Sequence, residues 1–173
     1  MKKLFFLFIL LFAQFSFAQI DKINPKTPPA KDAFFQKENS ANAKPAQKVK
    51  YIHSDSTLRK PDMYGGNTFF DGNVEFQHNG AVLTANRVIY YDKENFVKAI
   101  GNVILVTSDG NRITAEEMEY DGETQRGIAR RNVVLKDPKQ TISTDVLYYD
   151  RIKNTAYFNS GGTINDGKTT MWS

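Results

Sequence analysis

The sequence predicts an all-β fold built from repeats of about 29–30 residues, and two observations lead to this prediction. The tripeptide Gly-Asn-Val at residues 72–74 recurs at 101–103, and as Arg-Asn-Val at 131–133, so the spacing is 29 and then 30 residues. Short alternating apolar runs follow each copy, and turn-forming residues separate these runs. A fixed period of this size indicates one small unit stacked several times around a continuous core.

Turn chemistry defines the first hairpin of each unit. The strongest signal is Asn79-Gly80, because Asn-Gly favours the tight turn of a two-residue hairpin. Equivalent turns follow at 108–111, 137–139 and 165–167. We therefore predict that each unit holds an outgoing strand, a return strand and a short third strand, joined by tight turns.

The return strands carry a break in their in–out alternation. They cover residues 83–90, 113–120 and 142–149. In the second of them, Ile113 and Ala115 share one face of the strand, whereas Met118 and Tyr120 share the other. Such a change of parity predicts a β-bulge or a bend. A sheet that bends at the same place in every strand folds into two layers, so we expect an open sandwich or roll.

Residues 1–18 have the composition of a secretory signal peptide. Lys2 and Lys3 precede nine uninterrupted apolar residues, and Ser16-Phe17-Ala18 offers small residues at the cleavage site. The apolar run is shorter than the roughly 20 residues that span a bilayer, so we expect export. The chain has no cysteine, which excludes a cysteine-linked lipid anchor, disulfides and thiolate chemistry.

Residues 19–50 are predicted to form a disordered linker rich in lysine and proline, and residues 51–173 to form the β-repeat domain. The linker holds seven lysines against three acidic residues, a balance of +4. Residues 51–173 carry 14 basic and 16 acidic groups, a balance of −2. Because the basic excess lies outside the repeats, no nucleic-acid partner is indicated. Phe34-Phe35 is interpreted as a stray hydrophobic pair in the linker, and a docking point is the alternative.

The fourth unit stops at Ser173, in the middle of its return strand. An unfinished repeat leaves an open edge of unpaired backbone N–H and C=O groups. Two explanations stay open at this point. Either the sequence is part of a longer protein, or the edge pairs with another copy.

Fifteen apolar residues are predicted to face inward and would suffice to line a lipid-binding groove. They are Val74, Phe76, Leu83, Val88, Tyr90, Val103, Leu105, Ile113, Met118, Tyr120, Val133, Leu135, Ile142, Leu147 and Tyr149. In a groove, an acyl chain would gain about 0.8 kcal/mol for each methylene that leaves water. Alternation alone does not distinguish such a groove from a closed core filled by the same side chains.

No catalytic residue, metal ligand or cofactor site is predicted. The chain has two histidines, His53 and His78, and no phosphate-binding glycine loop or nucleophile elbow. The acidic cluster over 116–123 alternates between two faces and is not repeated in other units, which favours a solvated surface over a calcium site or a catalytic carboxylate pair. The basic cluster over 126–131 is expected to form salt bridges with it, and a lipid phosphate is the alternative partner.

The repeat also resembles a known family. Gly-Asn-Val, a turn, and then Ile-Thr-Ala-Glu-Glu-Met-Glu-Tyr-Asp at 113–121 resembles the repeat of the OstA-like family. That family includes LptA, the periplasmic lipopolysaccharide-transport bridge, and the matching domains of LptC and LptD. The resemblance covers residues 68–173 and implies an open β-jellyroll of two facing antiparallel sheets. Arg131 departs from the glycine of the family repeat.

The resemblance implies an interior that shields the acyl chains of lipopolysaccharide, and copies or other OstA-like components that join through open sheet edges. The sequence thus predicts a non-enzymatic protein, exported to the periplasm, that carries lipopolysaccharide towards the outer membrane. The alternative is a structural or adhesive β-repeat scaffold without lipid cargo. An interior open along its length would favour transport, and a closed packed core would favour the scaffold.

Overall fold

The structure, a computed structural model, describes residues 32–36, 46–59 and 65–172. The predicted signal peptide, most of the predicted linker and Ser173 lie outside the described residues. Within the described part of the chain, no helix is long and apolar enough to cross a membrane.

The described residues form one antiparallel sheet of 11 strands, which confirms the all-β prediction. The strands are β1 Lys50–His53, β2 Ser56–Leu58, β3 Thr68–His78, β4 Ala81–Tyr91, β5 Phe96–Val106, β6 Arg112–Asp121, β7 Arg126–Lys136, β8 Thr141–Asp150, β9 Thr155–Tyr157, β10 Gly162–Asn165 and β11 Thr170–Trp172. Their hydrogen-bonded order is β1-β3-β4-β5-β6-β7-β8-β10-β11, with β2 paired to β3 and β9 to β8. The long strands therefore pair with their neighbours along the chain, as the hairpin signals predict.

Each ladder between the long strands β3 to β8 contains a register shift near its middle. On the outgoing strands the shift falls at residues 72–73, 101–102 and 131–132. All six of these residues have positive φ, from 46° at Asn73 to 77° at the two glycines. Two successive left-handed residues turn a strand sharply, so the repeated tripeptide marks a corner.

The corners fold the sheet over itself into two layers. His78 ends β3 and Tyr120 lies in β6, so three strand spacings would separate them by at least about 14 Å in a flat sheet. Their side chains are instead 2.8 Å apart. Layer 1 contains β1, β10, β11 and residues 74–78, 81–85, 103–106, 112–115, 133–136 and 141–144. Layer 2 contains β2, β9 and residues 68–71, 87–91, 96–100, 117–121, 126–130 and 146–150.

The predicted bend of the return strands is confirmed, and the predicted third strand is corrected in the first two units. Residues 96–100 do not form a separate strand, because they continue through the corner into 103–106 as the single strand β5. Residues 127–129 likewise belong to β7. In the last of the three units the short third strand is present as predicted, as the separate strand β9.

A side chain from the neighbouring strand or turn covers each corner and binds its asparagine. The hydrogen-bonded pairs are Asn73–Asp55, Asn102–Asn86 and Asn132–Glu116. Glycine makes room for this cover, because a Cβ at Gly72 would lie 2.8 Å from the Cβ of Asp55. The first corner therefore needs glycine both for its φ of 77° and for the close approach.

Arg131 occupies the glycine position of the third corner with a φ of 64°. Its guanidinium lies 2.8 Å from Glu116 and 2.6 Å from Glu117. These ion pairs fix the Arg131 side chain at the position where the first two corners have glycine. Attraction between Arg131 and the two glutamates thus stabilises the residue that departs from the family repeat.

Two apolar clusters lie on opposite sides of layer 2. The larger fills the space between the layers. The smaller lies on the outer face of layer 2 and contains Phe35, Ile89, Tyr91, Phe96 and Ile128. Successive strand residues point to opposite faces, so runs of consecutive apolar residues in β4 and β5 contribute to both clusters.

Residues 32–36, which we call the strap, pack on this outer face as a single 3₁₀ turn. Phe35 is 3% exposed, and its ring meets that of Phe96 edge-on at 5.5 Å. The interpretation of Phe34-Phe35 as a stray pair is therefore wrong. Layer 2 presents a second apolar face, and the strap covers it.

Gly72→Ala is expected to destabilise the domain by about 1–3 kcal/mol, because the alanine adds a collision with Asp55 to a strained positive φ. Gly110→Ala is the matched control: its φ is +87°, and nothing lies within 4 Å of the added Cβ. Urea denaturation of both variants measures the difference. Equal losses of unfolding free energy would contradict the role assigned to the corner.

Candidate lipid-binding interior and the seam that closes it

All fifteen residues predicted to face inward lie in the cluster between the layers, and each is at most 8% exposed. Layer 1 supplies Val74, Phe76, Leu83, Val103, Leu105, Ile113, Val133, Leu135 and Ile142. Layer 2 supplies Val88, Tyr90, Met118, Tyr120, Leu147 and Tyr149. The structure thus brings the whole set together, and lipid binding by it stays a prediction.

The interior is a packed core in this structure. A cavity of about 10 Å³ remains beside Phe76, Leu83 and Leu105. A single water molecule needs roughly 10–15 Å³ of such space. An acyl chain therefore fits only if the layers separate. Of the two arrangements that the sequence left open, the inward residues here fill a core.

Polar contacts close the long side of the sandwich that lies opposite the corners. The tyrosine that recurs in each repeat ends layer 2 on this side, and its hydroxyl reaches across. The contacts are Tyr90 to the Val49 carbonyl at 3.2 Å, Tyr120 to His78 at 2.8 Å and Tyr149 to Asn111 at 3.1 Å. We call this row of contacts the seam. Burial raises the pKa of Tyr90 to about 12, so its hydroxyl keeps the proton that it donates.

The proton positions at the centre of the seam follow from the partners. The Gln47 carbonyl lies 2.8 Å from Nε2 of His78, so Nε2 carries the proton and Nδ1 accepts from the Tyr120 hydroxyl. Arg151 Nη1 donates to the same hydroxyl oxygen at 3.0 Å. Burial lowers the pKa of His78 and raises that of Tyr120. Both shifts favour the neutral forms that this chain of hydrogen bonds requires.

Arg151 connects distant parts of the sheet across the seam. It follows β8, which is five strands from β3 in the sheet order. Its guanidinium nevertheless donates to the carbonyls of His78 at 3.1 Å and of Asn79 at 3.0 Å. A further bond reaches Gln125 at 3.2 Å in the neighbouring turn. One side chain therefore binds the first hairpin of layer 1 to two turns of layer 2.

Asparagines hold the two ends of the seam. Asn95 is 2% exposed; it accepts from the Val49 amide at 2.8 Å and donates to the Gln47 carbonyl at 3.0 Å. At the other end, Asn111 donates to Asn154 at 2.9 Å. Each such bond contributes about 0.5–1.5 kcal/mol net, whereas the corners are continuous backbone. The sandwich therefore opens more readily at the seam than at the corners.

Sequence reasoning missed the seam. It assigns no role to His78, and it places the recurring tyrosines in the apolar lining alone. A signal was present, because a buried tyrosine hydroxyl needs a hydrogen-bond partner. His78 and Asn111 flank equivalent hairpins of successive units, which places polar groups at the matching edge of the facing layer.

The model of the OstA-like protein family matches residues 46–173 of this chain. The chain belongs to the OstA-like family. It is 33% identical over 69 residues to the LPS-assembly protein LptD of Polaromonas sp. (strain JS666 / ATCC BAA-500). That alignment covers 40% of this chain and 8% of the relative, so the chain spans a small part of the relative's length.

The OstA-like domain also has a similar solved structure. It matches LptH, the LptA-homologous periplasmic component of the lipopolysaccharide transport device of Pseudomonas aeruginosa, with a TM-score of 0.59 and 13% identity. The match covers 73% of this chain and 94% of LptH. At this identity the likeness bears on the fold, and it confirms the jellyroll that the sequence predicts.

Two of the three arginines of the basic cluster pair with the acidic cluster, as predicted, whereas Arg126 pairs with Asp150. The ion pairs are Arg131–Glu116, Arg131–Glu117 and Arg130–Glu119. Asp121 differs from the predicted solvated surface: it is 1% exposed and accepts two backbone N–H groups of the following turn. Among the described residues, no three potential metal ligands come together.

Tyr120→Phe is expected to destabilise the OstA-like domain by about 1–3 kcal/mol, because it leaves His78 and Arg151 without their shared partner. Tyr91→Phe is the matched control: within the described part of the chain its buried hydroxyl has no hydrogen-bond partner. Its removal should be neutral or stabilising. Urea denaturation compares the two variants, and equal effects would show that the seam contributes nothing.

Proposed function

We propose that this chain is a non-enzymatic carrier of lipopolysaccharide in the periplasm. Membership of the OstA-like family supports the proposal. So do the relatives, one named for lipopolysaccharide assembly and one described as part of a periplasmic transport device. The observation that carries the proposal is an apolar interior that continues through every repeat and is closed along one side by hydrogen bonds between side chains and the facing layer.

Acyl chains enter, in this proposal, when the two layers part along the seam and hinge at the corners. Loss of the three tyrosine contacts costs about 1.5–4.5 kcal/mol. An acyl segment of ten methylenes gains about 8 kcal/mol by leaving water. Because the acyl chain replaces the contacts that the layers lose with each other, an open and filled interior is favoured over an open and empty one.

We further propose that the exposed edges of the sheet join this chain to other OstA-like components or to another copy. At one edge Ile52 and Leu58 are each 38% exposed, and at the other Met171 is 55% and Trp172 80% exposed. Edge strands offer unpaired backbone groups to a neighbour. Edge-to-edge pairing would align successive interiors into one apolar path.

The packed interior favours a second candidate function, a structural or adhesive scaffold without lipid cargo. The same edges would then bind other proteins, and the interior residues would act only as a core. The two candidates differ in one measurable respect, which is contact between the interior residues and lipid in cells.

A photo-reactive amino acid at Phe76 or Ile113 is expected to form lipopolysaccharide adducts in cells, because both side chains point into the interior. Gln77 and Arg112 are matched controls, since each is the exposed neighbour of one probe in the same strand. Adducts are read as mass-shifted bands that carry lipopolysaccharide. Equal labelling at all four positions, or no lipid adduct at either interior position, would contradict lipid carriage and favour the scaffold.

A further inference from the structure

The outer face of layer 2 holds the strap through aromatic contacts on several strands. The Phe34 ring meets Tyr148 of β8 edge-on at 5.4 Å and Tyr157 of β9 edge-on at 5.7 Å. Tyr148 and Tyr157 stack on each other at 4.8 Å, so they form one platform. Phe35 lies in the neighbouring cluster against Phe96. Two adjacent side chains of the strap thus occupy two separate aromatic positions.

Arg126 recognises the backbone of the strap. Its Nη1 donates to the carbonyls of Phe34 and Gln36, each at 3.0 Å, and its guanidinium lies 5.4 Å from the centre of the Phe34 ring. Its Nε donates to the largely buried carboxylate of Asp150 at 2.8 Å, which fixes the guanidinium in place. A fixed cation that binds two carbonyls two residues apart and the ring of the first of these residues selects a short turn that begins with an aromatic side chain.

Hydrogen bonds within the strap close its turn. Asp32 Oδ1 accepts from the Phe34 amide at 2.9 Å, and the Gln36 amide donates to the Ala33 carbonyl at 3.1 Å. Both bonds join residues of the segment itself. The contact therefore has the features of a linear peptide in a built site, with a local turn, two aromatic anchors and one carbonyl-binding arginine.

We propose that the outer face of layer 2 is a peptide-binding site that also accepts the strap of a second copy of this chain. The site and the strap are both present in every copy, and their contacts link residues about 90 positions apart in sequence. Nothing in the contact itself distinguishes the chain's own strap from that of a neighbour. The proposal goes beyond lipid carriage and does not rest on it.

Chain connectivity permits the exchange. Ten residue steps separate Gln36 from Ala46, where the described chain resumes, and an extended chain of that length reaches about 33–36 Å. Because the strap belongs to the same chain, it meets its own site at a high effective concentration. Its own strap therefore occupies the site in dilute solution, and exchange occurs where copies are held close together.

The first test is direct binding of a fluorescent peptide that spans residues 30–38. The full chain carrying Phe34→Ala and Phe35→Ala has an empty site and is expected to bind the peptide saturably. Adding Arg126→Lys or Tyr148→Ala should weaken binding at least tenfold. Arg87→Lys is the control on the same face, because Arg87 pairs with Asp71 and does not contact the strap. Unchanged urea midpoints show that each variant is folded.

Absence of peptide binding to the Phe34→Ala/Phe35→Ala chain would overturn the proposal, and so would equal binding to all variants.

A mixing experiment then tests the second copy. The Phe34→Ala/Phe35→Ala chain, whose site is intact, and the Arg126→Lys chain, whose strap is intact, are each expected to stay monomeric. Their mixture should form a heterodimer by light scattering. A mixture that stays monomeric where the peptide binds would overturn exchange. Association of each chain alone would place the contact at the sheet edges instead.

Discussion

The fold depends on one backbone feature, the left-handed pair that bends each outgoing strand while a neighbouring side chain covers it. Without the three corners, the long strands would form a flat sheet with no enclosed core. The bend and its cover are coupled, because the space left by Gly72 is filled by Asp55. The third corner reaches the same geometry with Arg131 and two glutamates. The repeat in sequence therefore places the three corners in one row along the sheet.

The two long sides of the sandwich differ in how the layers are joined. Along the corners the layers are joined by the peptide chain itself, whereas along the seam they are joined by hydrogen bonds from side chains such as Tyr120 and Arg151. The seam contacts are individually weak. At its centre, the bond from the Tyr120 hydroxyl to Nδ1 of His78 requires a neutral imidazole. A packed interior and a lipid-carrying function are compatible if the molecule hinges at the corners and opens at the seam.

Sequence patterns predicted the parts of this structure that are local and repeated. The period, the hairpins and the parity break after Ala115 identified the hairpin pairing, the bend and all fifteen inward residues. The seam and the strap were not predictable in the same way, since each joins residues far apart in sequence. His78 meets Tyr120 across 42 positions, and Phe34 meets Arg126 across 92. Alternation reports which face a residue occupies and does not report what lies opposite that face.

We propose that lipid enters by separation of the layers at the seam. The chain has no cysteine, so Asn111→Cys with Asn154→Cys allows a short bis-maleimide to lock the seam where these side chains are 2.9 Å apart. Glu75→Cys with Thr84→Cys places the same link between paired strands inside layer 1. Binding of fluorescent lipopolysaccharide is then measured for both linked proteins. We expect the link between positions 111 and 154 to abolish lipopolysaccharide binding and the link between positions 75 and 84 to leave it unchanged. Undiminished binding by the protein linked at 111 and 154 would contradict entry at the seam.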